Sequence, residues 1–144
     1  MEKRVLSNGV EIPAIGLGVY LSPEGQATAD SVRWAVEAGY RHIDAAAVYG
    51  NECSVGEGIK TCGIPRDQLF LTSKLWNDDI RKGRALDAFK ESLERLGTDY
   101  LDLYLIHWPA DGHVKAWHVL EELYQTGAVR AIGVSNYHSQ HIAE

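Results

Sequence analysis

An α/β fold is predicted, of the parallel (β/α)8 TIM-barrel type and truncated to about its first five β/α units. Three observations point to it. Five short apolar runs suited to strands recur along the 144 residues: AIGLGVY (14–20), YRHIDAA (40–46), QLFLTSK (68–74), YLDLYLIH (100–107) and VRAIGVS (129–135). Stretches with helical period separate them. Gly39, Gly63, Gly97 and Gly127 each stand shortly before the next strand. Strands alternating with helices in units of roughly thirty residues imply a parallel sheet, because parallel neighbours need a crossover connection.

Taken in order, VLSNGVEIP (5–13) suits a small hairpin, since Asn8-Gly9 between short apolar runs favours a tight turn. After the first strand and the loop LSPEGQAT, the stretch DSVRWAVEAG offers Val32, Ala35 and Val36 behind Asp30, a residue type suited to capping. SVGEGIK reads as a second helix between Cys53 and Cys62. In GRALDAFKESLERLG, Leu86, Phe89, Leu93 and Leu96 fall three or four apart, so one stripe is apolar. In KAWHVLEELYQTG, Ala116, Leu120, Leu123 and Tyr124 do the same. The glycines that follow these helices suit the left-handed residue just past a helix end.

Two architectures share this rhythm, an open doubly wound sheet and a barrel. The open sheet would ideally carry GxGxxG after its first strand. Here that position reads GLGVYLSP, with no third glycine and no immediate helix. The barrel is therefore favoured. A closed one takes eight strands and about 250 residues, so residues 1–144 read as a single partial barrel domain.

Composition narrows the function. Formal charge is −6 with acids and bases interspersed, which argues against nucleic acid or an anionic membrane as partner. No apolar run is long enough to span a bilayer, and MEKRVLSNG lacks the apolar core of a signal peptide, so a cytoplasmic location is expected. Cys53 and Cys62 read as reduced thiols. The six histidines form no HExxH or similar zinc pair, and neither a GxSxG elbow nor a P-loop occurs.

Three polar residues share one topological address. Asp44, Lys74 and His107 stand at the ends of the second, third and fourth strands. In a parallel sheet all strand C-termini lie on one rim, where barrels place their active sites. Tyr49, five residues after Asp44, can lean over the same rim. An ammonium beside a phenol favours its ionised form, and Asp44 would hold that ammonium in place. His107 could donate a hydrogen bond to a substrate oxygen. A phenol in this setting suits protonation of an oxygen that becomes an alkoxide, as when hydride reaches a carbonyl carbon. The set therefore suits carbonyl reduction with a nicotinamide as hydride source. Ser135-Asn136 after the fifth strand either caps the next helix or presents hydroxyl and amide groups to a carboxamide.

The strings GYRHIDAAAVYGNE, LFLTSKLWN, LDLYLIHWP and RAIGVSN, in this order and spacing, closely resemble the aldo-keto reductases from about Val10 to the last residue. HWPADGHVKAW and KLWND look most like bacterial members similar to 2,5-diketo-gluconate reductases. The resemblance implies a (β/α)8 barrel that binds NADPH and reduces aldehydes and ketones. It implies that Asp44, Tyr49, Lys74 and His107 match the catalytic tetrad, with Tyr49 the proton donor. Ser135 and Asn136 match positions that hold the nicotinamide carboxamide, and Asp44 borders the cofactor. Tyr20, Trp76, His107 and Trp108 match positions that line the substrate pocket. Val19 and Tyr20 stand where many members have threonine and tryptophan. The family's sixth to eighth strands, with the groups that flank the nicotinamide and grip the adenosine 2′-phosphate, have no counterpart here.

The expected partner is a small-molecule aldehyde or ketone, and the expected full-length parent is a monomer. The shortened chain is expected to have weak or no activity. Two alternatives remain: a non-catalytic half-barrel that self-associates through its open edges, and a cofactor-binding regulatory subunit.

Overall fold

In the computed structural model, which describes residues 2–144, the chain forms two sheets. Lys3–Val5 (β1) and Glu11–Pro13 (β2) pair antiparallel, with Arg4 opposite Ile12. Gly9 turns between them at φ +86°, its N–H donating to the Leu6 carbonyl at 2.9 Å. This is the hairpin that Asn8-Gly9 predicts. Asn8 also ties it to the other end of the chain, its Nδ2 donating to the Arg130 carbonyl at 2.9 Å.

The second sheet holds Leu17–Gly18 (β3), His42–Asp44 (β4), Phe70–Leu75 (β5), Leu101–Ile106 (β6) and Val129–Val134 (β7), all parallel, in the order β3-β4-β5-β6-β7. A doubly wound sheet reverses its strand order part-way. This one advances by one neighbour each time, and right-handed crossovers then put every connecting helix on the same face. The fold is that of a (β/α)8 barrel over five β/α units.

The strands are shorter than their apolar runs. β3 keeps only two residues of 14–20, because the chain turns at once: the Ser22 N–H donates to the Val19 carbonyl at 3.1 Å, with Leu21 at φ +63°. The helices are Gln26–Glu37 (α1), Glu52–Thr61 (α2), Asn77–Arg81 (α3), Ala85–Leu96 (α4), His113–Gln125 (α5) and Ser139–Ile142 (α6). Gly39, Gly63, Gly97 and Gly127 all adopt positive φ, as expected of residues just past helix ends. At Gly97 the motif closes fully, with the Thr98 N–H donating back to the Leu93 carbonyl at 3.1 Å.

Three local expectations are corrected. The capping position of α1 is held by Gly25 rather than Asp30, which lies inside the helix and pairs with Arg33. The α4 stripe runs through Ala85, Ala88, Phe89, Ser92 and Leu96, leaving Leu86 exposed. On α5, Ala116, Leu120 and Leu123 are buried while Tyr124 is exposed. α2 comes very close to the C-terminal end of α4: a Cβ on Gly56 would lie 2.7 Å from the Arg95 carbonyl oxygen. Gly58 serves α1 in the same way, its Cβ position lying 2.6 Å from the Val32 Cβ.

Two buried carboxylates knit the helices and loops to the sheet. Asp102 accepts from Arg66 Nη1 (2.8 Å), Arg130 Nη1 (2.8 Å) and the Leu71 N–H (2.9 Å). Glu52, at the start of α2, accepts from Ser73 Oγ (2.6 Å), Ser92 Oγ (3.1 Å) and Arg95 Nε (2.8 Å). A carboxylate so buried is tolerated because its lone pairs are filled.

Candidate active site

The parallel register aligns the strand ends. Asp44 pairs with Gly18 and Thr72, and Lys74 with Leu105, so the polar groups that close β4 and β5 rise on one rim. His107 follows directly on β6, its N–H donating to the Leu75 carbonyl at 3.1 Å.

Lys74 is almost wholly buried (6 % exposed), and its Nζ is accounted for. It donates to Asp44 Oδ1 and Oδ2, both at 2.9 Å, to the Ala45 carbonyl at 2.9 Å, and to the Tyr49 hydroxyl at 3.4 Å. Tyr49 ends a 3-10 turn, Ala47–Tyr49, that Gly50 terminates at φ +68°. That turn folds the phenol back over Lys74.

His107 meets two rings edge-on: Tyr49 at 5.8 Å between centroids and Trp76 at 5.4 Å. Burial holds its imidazole below the ordinary histidine range, and the Lys74 charge adds to this against the opposing pull of Asp44. Burial and the Lys74 charge both favour the neutral ring. Its Nδ1 is buried without a protein partner. Tyr20 lies tilted on Tyr49, centroids 5.2 Å apart.

Asp44, Tyr49, Lys74, His107, Tyr20 and Trp76 are thus brought together. Trp108 is half exposed and, among the described residues, joins none of these ring contacts. At the end of β7, the Ser135 N–H donates to the Ile106 carbonyl at 2.9 Å. Asn136, at φ +61°, donates from Nδ2 to the His107 carbonyl and to Ser135 Oγ, both at 2.9 Å. Its amide nitrogen is committed within the protein, and its Oδ1 is left to accept from outside. A surface groove of about 1000 Å³ lies elsewhere, on the flank lined by Arg81, Asp111 and His113. An open sheet gives its rim no enclosing wall.

Four strand-end and loop side chains with one charge balance and one aromatic surround meet here, and the family model for the aldo/keto reductase family matches residues 14–144. The chain belongs to the aldo/keto reductase family. This aldo/keto reductase chain is 53 % identical over 140 residues to the glyoxal reductase of Bacillus subtilis (strain 168), covering 96 % of the chain and 51 % of the relative. It is 51 % identical over 140 residues to the 9,11-endoperoxide prostaglandin H2 reductase of Trypanosoma cruzi (strain CL Brener), covering 96 % and 50 %. Among solved structures, the aldo/keto reductase from Brucella melitensis superposes with a TM-score of 0.94 at 43 % identity, covering 99 % of this chain and 55 % of that one. The Bombyx mori aldo-keto reductase in complex with NADP superposes at 0.87 and 38 % identity, covering 99 % and 52 %. The chain spans about half the length of the curated relatives it matches.

Sequence reasoning missed Asn51 and Glu52, both buried directly after Tyr49-Gly50. They stand as the last two letters of GYRHIDAAAVYGNE, but residue type alone does not show their partners, which for Asn51 are the Val19 and Ser22 carbonyls. Among the described residues, no helix is long and apolar enough to cross a membrane.

Proposed function

We propose that this chain, as one partial barrel domain over residues 1–144, carries the proton-transfer half of a carbonyl reductase. Its reaction converts an aldehyde or ketone to the alcohol, with NADPH as reductant. The observation that carries the proposal is the contact of Lys74 Nζ with both Asp44 oxygens and with the Tyr49 hydroxyl. The matched family and the NADP-bound relative support the reaction class.

The nicotinamide, when bound, supplies the hydride that adds to the carbonyl carbon. Ser135 and Asn136 fit its carboxamide: the exposed rim offers a hydroxyl and the free Oδ1 of Asn136 as acceptor. Asp44 lies at the same mouth. The protein's own residues handle the oxygen. Tyr49 gives its hydroxyl proton to the oxygen as negative charge gathers there. Lys74 offsets the charge left on the phenolate, and Asp44 keeps the ammonium in place. Neutral His107 donates a hydrogen bond that orients the carbonyl without competing as an acid. Tyr20, Trp76 and Trp108 supply apolar walls, and solvent returns the proton to Tyr49. The full-length parent acts as a monomer in the cytoplasm.

On its own the chain has weak or no activity, because a sheet on which Leu103 and Leu105 remain only half-buried offsets the entropy of ordering poorly. Loss of nicotinamide absorbance on adding glyceraldehyde or glyoxal tests the reaction class. Oxidation that requires the carbonyl supports it. NADPH binding with no carbonyl-dependent oxidation would favour the regulatory-subunit reading instead. A second reading rests on β7, whose outer edge is unpaired among the described residues, beside exposed Val134 and Ile142. In it two copies associate through that edge.

A further inference from the structure

Asn51 occupies the N-cap position of α2, yet its side chain makes no capping hydrogen bond. An asparagine there ordinarily accepts from the first helical turn through its Oδ1. Here Oδ1 is buried without a partner, and the residue is fully buried. The amide end is used instead. Nδ2 donates to the Val19 carbonyl at 2.9 Å and to the Ser22 carbonyl at 3.0 Å, reaching back about thirty residues.

Those two carbonyls bracket the turn that carries Tyr20. The Ser22 N–H donates to the Val19 carbonyl at 3.1 Å, which makes Val19–Ser22 a β-turn with Leu21 in its third position. Leu21 sits at φ +63°, where such turns use glycine or asparagine. It is 82 % exposed, so no packing of its own side chain holds it in that conformation. The turn is held from outside. Asn51 grips both of its ends, and the Val19 N–H donates to the Asp44 carbonyl at 3.2 Å. Strain kept by surrounding contacts is a signature of functional segments. What it presents here is Tyr20, largely exposed at 67 %, yet set 5.2 Å from the Tyr49 ring.

We infer that Asn51 is a positioning residue for the site's aromatic wall: its amide holds the strained Val19–Ser22 turn so that Tyr20 stays against Tyr49. The wall is then preset before a carbonyl compound arrives, and Asn51 decides how much room that compound has beside the Tyr49 hydroxyl. The functional meaning rests on the proposed role of Tyr49, whereas the positioning is read without turnover.

Three variants test it: Asn51→Leu, which keeps similar volume and removes both donors; Leu21→Gly, which suits the turn's φ; and the two combined. Two-dimensional NMR reports the cross-peaks between the Tyr20 and Tyr49 rings, with amide exchange along Glu52–Thr61 as the measure of an intact α2. Asn51→Leu is expected to lose the ring cross-peaks while α2 stays protected, and adding Leu21→Gly is expected to restore them. Unchanged cross-peaks in Asn51→Leu would overturn the inference. So would loss of α2 protection that Leu21→Gly does not restore, since Asn51 would then hold the helix rather than the wall. None of these outcomes depends on whether the protein reduces carbonyls.

Discussion

Lys74 and Asp44 form an unequal pair: the Lys74 side chain is 8 % exposed and that of Asp44 36 %, with Nζ 2.9 Å from each carboxylate oxygen. The cation is the group removed from water. Each partner therefore fails differently when the other is taken away.

Asp44→Ala leaves a nearly buried ammonium with the Ala45 carbonyl and the Tyr49 hydroxyl as its remaining partners. It should cost about 2–3 kcal/mol of stability, less than the full value for a wholly buried pair because solvent reaches Asp44. Lys74→Met leaves a carboxylate that water can solvate, and should cost about 1 kcal/mol or less. Both should slow carbonyl reduction, Lys74→Met by about a hundredfold. Urea unfolding curves give the order of the stabilities. The reverse order would contradict the asymmetry.

Stability should depend on pH through two histidines. Burial, first among the causes, holds both His42 and His107 below the ordinary value of 6.5. As pH falls, the unfolded chain therefore takes up their protons first, near 6.5, and the folded chain only later. The unfolded state binds more protons in that window, so stability is complete above it and lost as pH falls through it. His42, whose Nε2 lies 3.0 Å from Thr72 Oγ1, stands outside the proposed reaction and is the cleaner probe. His42→Gln should lose less stability than the unmodified protein between pH 7 and pH 5. An equal loss in the two would remove His42 from the account.

Gly56→Ala should destabilise although alanine is the better helix former. Its Cβ would lie 2.7 Å from the Arg95 carbonyl oxygen and 2.8 Å from the Leu96 carbonyl, both backbone atoms of α4. A backbone neighbour cannot rotate away, so the cost should be about 1–3 kcal/mol. A variant as stable as the unmodified protein would mean that α2 and α4 lie further apart than described.

The open edge of β7 should make the isolated chain associate. Light scattering at micromolar concentration is expected to show species larger than one chain, increasing with concentration. A well-folded monomer across that range would dispose of the self-association reading.

What could be read from the sequence follows from which signals are periodic and which are not. The strands were legible because apolar runs recur, four of the five shortly after a glycine, and the parallel arrangement puts all their C-terminal ends on one rim. That rule alone led to Asp44, Lys74 and His107. The large residues of α4 set its apparent period, whereas its buried face also uses Ala85, Ala88 and Ser92 and leaves Leu86 in water. α3 and α6, at five and four residues, are too short to show a period at all. Asn51 was invisible for another reason. Its partners are the backbone carbonyls of Val19 and Ser22, which leave no trace in residue type.

Everything proposed for the chemistry turns on the Tyr49 hydroxyl as the source of the proton. The rate of NADPH oxidation with glyoxal, compared between Tyr49→Phe and the unmodified protein, measures this most directly. Phenylalanine keeps the ring that meets Tyr20 and His107 and removes only the oxygen that Lys74 contacts. The account predicts a fall of about 10²–10⁴-fold. A rate in Tyr49→Phe equal to that of the unmodified protein would contradict it.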